Sequence, residues 1–264
     1  MLAPETPSAR WWNAAIERHR QTLVLFWGPV LALAGIIAVA VLLDARVSHA
    51  LMGWPDAVRA FFRLITDLGK SDWMLIPALI ALIVCSIALR FKLSYSWAWA
   101  ARGIAAISGY LFATVAISGL VTVVFKRLIG RARPMYLDEL GPLYFKPFDI
   151  FDWSFHSFPS GHATTIVAFS VVIFTFSNGR FRNWIIAFGV LIGLSRIVVG
   201  DHYLSDVIAG SFVGFSTALV IRDYFVTRGW GMRIVDGRVR YRMFAAFKPL
   251  WRRLIRGYRP MAAK

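Results

Sequence analysis

Cysteine is almost absent from this chain. Its 264 residues include one, Cys85, set inside an apolar run. That excludes a disulfide framework and a thiolate metal cluster. Charge is also scarce: 17% of residues are charged against 58% hydrophobic. With a mean hydropathy of +0.60, the long uncharged runs exclude an ordinary soluble domain and point to a polytopic membrane protein. Acids are the scarcer sign, 14 Asp and Glu against 30 Lys and Arg, for a formal charge of +16. A basic surface can serve nucleic acid or anionic lipid. In a chain this apolar, with no recognition motif, it reads as a lipid-facing surface with no nucleic-acid partner.

What is present is a series of apolar runs. Thr22–Leu43, Trp73–Leu89, Ile104–Phe125, His162–Ser177, Asn183–Val199 and Leu204–Ile221 predict an all-α, polytopic six-helix transmembrane bundle. The first run is too long for a signal-peptide core and is expected to stay as an anchor. Residues 1–21, with Trp11, Trp12 and three arginines, read as an interfacial segment. Residues 22–221 form the membrane domain, its motif-bearing core at 104–221, and 222–264 a basic cytoplasmic tail. Residues 44–72, mixed in charge, are expected to lie partly on the membrane surface. Within the tail, Asp236-Gly237 between apolar residues predicts a hairpin turn. Beyond it, Phe244, Phe247, Trp251 and Leu254 suit a basic amphipathic helix on an anionic leaflet. Small residues Ala209, Gly210, Ser211 and Gly214 predict close helix packing in the last span. Two thirds of the Lys and Arg fall in the N-terminus, the 90–103 loop, the 178–182 turn and the tail. Both termini are therefore expected in the cytoplasm, of a bacterial inner membrane by this reading.

Ser195-Arg196-Ile197-Val198-Val199-Gly200-Asp201-His202-Tyr203-Leu204-Ser205-Asp206 concentrates polar chemistry between two apolar runs. His202 and Asp206, four apart, share a helix face, and a carboxylate can fix an imidazole's tautomer and orientation. Asp201 reads as a cap or a surface charge. Six spans place three clusters on the outer face: Lys126 with Arg133-Pro134, Pro159-Ser160-Gly161-His162, and Ser195-Arg196 with His202. Lys126, Arg133 and Arg196 are donors that never accept, suited to phosphate oxygens. Ser160-Gly161 opens a helix whose free N–H groups welcome an anion. His202, supported by Asp206, suits a nucleophile, and His162 the acid that protonates a leaving oxygen. Each cluster alone is ambiguous, since Lys126 and Arg196 could be snorkelling anchors and intramembrane charges also line transport paths. Residues 1–100 repeat nothing of the motif-bearing half, which argues against a transporter.

Lys126-x6-Arg133-Pro134, Pro159-Ser160-Gly161-His162 and Ser195-Arg196-x5-His202-x3-Asp206 resemble the three signature motifs of the type 2 phosphatidic acid phosphatase superfamily. The resemblance covers residues 126–206, in the family's order. It implies a helical core and metal-independent phosphate-ester hydrolysis through a phosphohistidine, with no cofactor. His202 would be the nucleophile, Asp206 its partner and His162 the acid. Lys126, Arg133, Arg196, Ser160 and Gly161 would carry the phosphate. Six spans fit the family's membrane branch. The expected partners are a lipid phosphate (phosphatidic acid, phosphatidylglycerophosphate, a polyprenyl diphosphate or a lipid A phosphate) and membrane lipid, with no protein partner. Transfer to an acceptor hydroxyl instead of water is the alternative use of the same site. The insert between Arg133 and Pro159, with Tyr136, Tyr144, Phe145, Phe148, Phe151, Trp153, Phe155 and Phe158, is expected to cap the site and guide a lipid chain. His156 within it has no evident partner and is left outside the site.

Overall fold

In hydrocarbon a backbone has only itself to hydrogen-bond, so long apolar runs fold as helices. The computed structural model describes residues 27–177, 179–235 and 238–241, with 247, 251 and 255 beyond them. The interfacial segment expected at 1–21, and most of the amphipathic run expected in the tail, lie outside the described residues. The long helices are α1 (Trp27–Leu42), α2 (Asp44–Met52), α3 (Asp56–Asp67), α4 (Asp72–Ala88) and α5 (Tyr95–Ile129). After the four-residue α6 (Leu137–Leu140) come α7 (Gly161–Ser177), α8 (Arg182–Val198) and α9 (Leu204–Thr227).

Helices α5, α7 and α9 form the centre, with α4 against α5 and α8 against α7. Two apolar layers fill it. One joins Met74, Val115, Ile166 and Ile192; the other joins Tyr110, Val172, Ile221, Phe225 and Met232. The expected small-residue seam exists: a Cβ at Gly210 would run into the Ser160 carbonyl, and one at Gly214 into that of Thr164. Strands β1 (Met232–Val235) and β2 (Arg238–Tyr241) pair antiparallel with Val235 opposite Arg238. That register leaves two residues for the predicted turn, although Asp236-Gly237 themselves lie outside the described residues. The hairpin docks through the Tyr241 hydroxyl, which donates to the Gly103 carbonyl, and its ring, which packs on Phe176.

Several boundaries differ from expectation. The third predicted span is the middle of a 35-residue helix, because the 90–103 "loop" turns helical from Tyr95 and carries Arg102 within α5. Residues 44–72 do not simply lie on a surface: α2 and α3 pack against α8, and Asp44 is fully buried. Among the described residues, three helical stretches are long and apolar enough to cross a membrane, Asp56–Ala88, Tyr95–Ile129 and Leu204–Thr227. A fourth is the pair α1 and α2 taken together, bent by 56°. At 17 residues each, α7 and α8 fall short of the roughly 20 that hydrocarbon asks for. The protein is a mostly helical integral membrane protein.

Candidate active site

The C-terminal ends of α5 and α8, the N-terminal ends of α7 and α9, and the 130–160 loop meet at one end of the bundle. Asp206 explains why. Its backbone carbonyl accepts from the Ser160 amide at 2.9 Å, tying the start of α9 to the start of α7. Its side chain caps α9 by accepting from the Tyr203 amide at 3.0 Å, the reach of an acidic N3 residue back to its own cap. Oδ2 also accepts from the Ser157 hydroxyl at 2.5 Å, while Oδ1 accepts from Arg131 Nη1 at 2.6 Å. A fully buried carboxylate held by three donors has one orientation.

His202 Nδ1 faces that carboxylate at 3.6 Å, too long for a hydrogen bond, and Nδ1 has no hydrogen-bond partner among the described residues. With Nδ1 turned to Asp206, Nε2 is the nitrogen left for chemistry. The ring is 2% exposed. Burial pushes its pKa well below the ordinary histidine value; the Lys126 charge adds to this, and Asp206 opposes it. The imidazole is therefore neutral at neutral pH.

Three cations lie at the same end of the bundle. Lys126 Nζ donates to the His156 carbonyl at 2.6 Å. His156 thus enters the site through its backbone, while its ring nitrogen lies 2.7 Å from the Asp149 carbonyl. Arg133 stacks over the Trp153 ring at 4.7 Å and donates through Nε to that residue's carbonyl. Arg196 donates to the Thr66 hydroxyl at 2.8 Å and pairs with Asp201 at 2.5 Å. Asp201 also lies 3.6 Å from Arg133. It is thus a bridge between two of the cations, where the sequence suggested only a cap or surface charge. Gly161 opens α7 with its Cα face toward the Lys126 stem. The buried Ser160 hydroxyl and Arg196 Nε have no partner among the described residues, so both remain available to an anion. All eight residues singled out from the sequence meet at this end of the bundle.

Sequence reasoning missed four contributors. Arg131 and Asp44 are buried beside Asp206, and Ser157 holds its second oxygen. At Gly69, between α3 and α4, a Cβ would come within 2.8 Å of His162 Cδ2. None sits in a motif-like spacing with the histidines. Only the Gly130-Arg131-Ala132-Arg133-Pro134 run, which sets Arg131 two residues before Arg133, offered a signal. Among the described residues no three His, Cys, Asp or Glu side chains converge as metal ligands. An apolar groove of about 880 Å³ between α7, α8 and α9 is lined by Gly193, Ile197, Leu204 and Val207 at its end nearest the site; none of the catalytic candidates lines it.

Comparison with known proteins finds relatives along most of the chain. The family model of the PAP2 superfamily matches residues 108–230. A lipid A 1-phosphatase of Rhizobium etli is 40% identical over 179 residues, 64% of this chain and 73% of the relative. The lipid A 1-phosphatase of Rhizobium johnstonii is 35% identical over 232 residues, 83% of this chain and 90% of the relative. The crystal structure of Aquifex aeolicus LpxE superposes with a TM-score of 0.48 at 20% identity, over 69% of this chain and 96% of that one. The chain belongs to the PAP2 superfamily, as an integral membrane lipid phosphatase.

Proposed function

We propose that this phosphatase removes the 1-phosphate of lipid A through a phosphohistidine on His202. The observation that carries the site is the convergence of His202 and Asp206 with Lys126, Arg133, Arg196 and His162 at one end of the bundle. The lipid is inferred from the two relatives named for that substrate.

In the first step His202 Nε2 bonds to phosphorus as the ester P–O bond breaks, and His162 gives its proton to the departing oxygen. In the second, water attacks phosphorus, its proton returns to His162, and the P–N bond breaks to release phosphate. Lys126, Arg133 and Arg196 offset charge on the equatorial oxygens, with Ser160 and the amides opening α7 as further donors. Each well-placed donor contributes about 3–4 kcal/mol. Exposed Phe148, Phe151 and Trp153 would sit among the chains of the substrate's leaflet. The chain crosses six times in this reading, with both termini cytoplasmic and the site on the periplasmic face of the inner membrane. The surplus of arginine and lysine in the terminal and 90–103 segments, on the cytoplasmic side of this reading, supports that orientation.

The test is phosphate release by purified wild type and His202→Ala in the presence of chelator. The arms are lipid A, phosphatidylglycerophosphate, phosphatidic acid and a polyprenyl diphosphate. Release from the 1-position of lipid A by the wild type alone is expected. Faster release from another lipid would overturn the substrate, turnover by His202→Ala the nucleophile, and inhibition by chelator the metal-free step.

A further inference from the structure

Arg131 is 1% exposed, and a buried guanidinium needs an explanation. Its Nη1 donates to Asp206 Oδ1 at 2.6 Å and to the Ser205 hydroxyl at 2.7 Å. Nη2 donates to Asp44 Oδ2 at 2.8 Å and, with Nε, to the Pro142 carbonyl. Its plane stacks on Tyr203 at 4.3 Å. Asp44, itself fully buried, accepts from the Ser205 amide at 2.9 Å and from the Ser205 hydroxyl. One cation is thus shared by two carboxylates, and one of these faces His202. Burial works against the Arg131 charge, but Asp206 and Asp44 outweigh it and raise its pKa.

A buried ion triad is seldom retained for stability, because apolar residues of the same volume often serve as well. Asp44 stands at the 56° bend between α1 and α2, outside the stretch that matches the family model. The contact nevertheless reaches the carboxylate behind the nucleophile. An Arg131 bound to Asp206 alone would place its whole charge there and weaken what Asp206 does for an imidazolium forming on His202. Asp44 draws part of that charge away, and Ser205 keeps both carboxylates in register.

We propose that Asp44 is a positioning residue for the reaction, acting through Arg131 to set the orientation and charge of Asp206. The proposal rests on the reading of His202 as the nucleophile. Its test is Asp44→Asn in the full chain, assayed on lipid A in detergent for kcat, KM and the pH dependence of kcat/KM. The expected result is a fall in kcat of about 10- to 100-fold, the scale of a small misplacement of a reacting group, with KM within twofold. The acid limb of kcat/KM should also move to lower pH, since His202 loses support for its protonated form. The other charged and titratable groups around that ring stay in place: Lys126 of α5, Arg133 of the loop, His162 of α7, Arg196 of α8 and neighbouring Asp201. Asp67 and Lys70, farther out beside His162, are also untouched.

Wild-type kcat in Asp44→Asn would overturn the proposal. So would a loss of activity with the acid limb unmoved, which is what a purely structural role predicts. If Asp44→Asn does not fold, Ser205→Ala decides, because it removes the shared hydroxyl and keeps every charge. A several-fold lower kcat at constant KM supports the tether, and wild-type kcat overturns it. His202→Ala is the control: turnover there would refute the nucleophile, whereas an inactive His202→Ala beside an unimpaired Asp44→Asn refutes only the tether.

Discussion

Two side chains decide how the site behaves, and both respond to their surroundings rather than to their own chemistry. In the proposed reaction His202 attacks only when neutral, and burial holds its pKa well below the ordinary histidine value, about 6.5. The acid limb of kcat/KM, which reports the free enzyme, should therefore lie below pH 6.5, and activity measured from pH 7.5 down to 6.5 should not fall on its account. The same depression acts on stability. Below about pH 6.5 the unfolded imidazole takes a proton that the folded one refuses, so the folded state is lost progressively as pH falls. Thermal unfolding in detergent at pH 7.5 and 5.5 should show the lower midpoint at 5.5, and His202→Ala should shrink that difference. His162 is governed by contact. The Gly69 backbone lies so close to its ring that a methyl would reach Cδ2 at 2.8 Å and Ile192 Cγ2 at 2.9 Å. Gly69→Ala should displace the acid and lower kcat about 100-fold, the cost of a shift near 1 Å, while the protein still unfolds cooperatively. The histidines, lysine and motif arginines were legible in the sequence because fixed spacings carry them. Gly69 and Asp44 were not, since a contact made across 87 or more residues of chain leaves no local pattern.

At the scale of elements, the site depends on how closely α7 and α9 approach. Ser160 and His162 open α7, Asp206 opens α9, and Gly210 lies one turn along α9 against the Ser160 carbonyl. Thr164 reinforces the seam, its hydroxyl 2.9 Å from the Ser160 carbonyl and 3.0 Å from that of Gly210. Gly210→Ala should force the helices apart, costing about 1–3 kcal/mol for overpacking and separating the acid from the nucleophile. Gly189 of α8 is the matched control, because a Cβ there meets nothing within 4 Å. Melting midpoints and kcat of the two variants in detergent should diverge; equal behaviour would remove the seam from the explanation. The seam itself was readable from the run of small residues at 209–214. Helix ends were not. Hydropathy marks where hydrocarbon begins, so it placed the third span at Ile104–Phe125, whereas helix continues from Tyr95 to Ile129. That extension puts Lys126 on a rigid helix and the 130–160 loop directly after it.

For the whole molecule the open physical quantity is length. At about 1.5 Å per residue, the 17 residues of α7 or α8 rise only about 25 Å against roughly 30 Å of hydrocarbon. The exposed Arg182 stands at the start of α8, the end away from the site, and a long cationic side chain lets a short helix sit in a locally thinned bilayer. If both helices cross, the catalytic end and the 179–181 turn lie on opposite faces. The chain offers a clean background for testing this, because its only cysteine, Cys85, lies within the apolar α4. In Cys85→Ser, a single Asp138→Cys substitution should react with a membrane-impermeant maleimide in cells whose inner membrane is intact, since Asp138 is 86% exposed beside the site. Arg180→Cys, at an exposed position between α7 and α8, should react only after that membrane is permeabilised. The reverse pattern would invert the orientation and put the phosphatase site in the cytoplasm. Labelling of both from outside would show that α7 and α8 do not cross separately, and the count would fall to the helices whose length alone suffices.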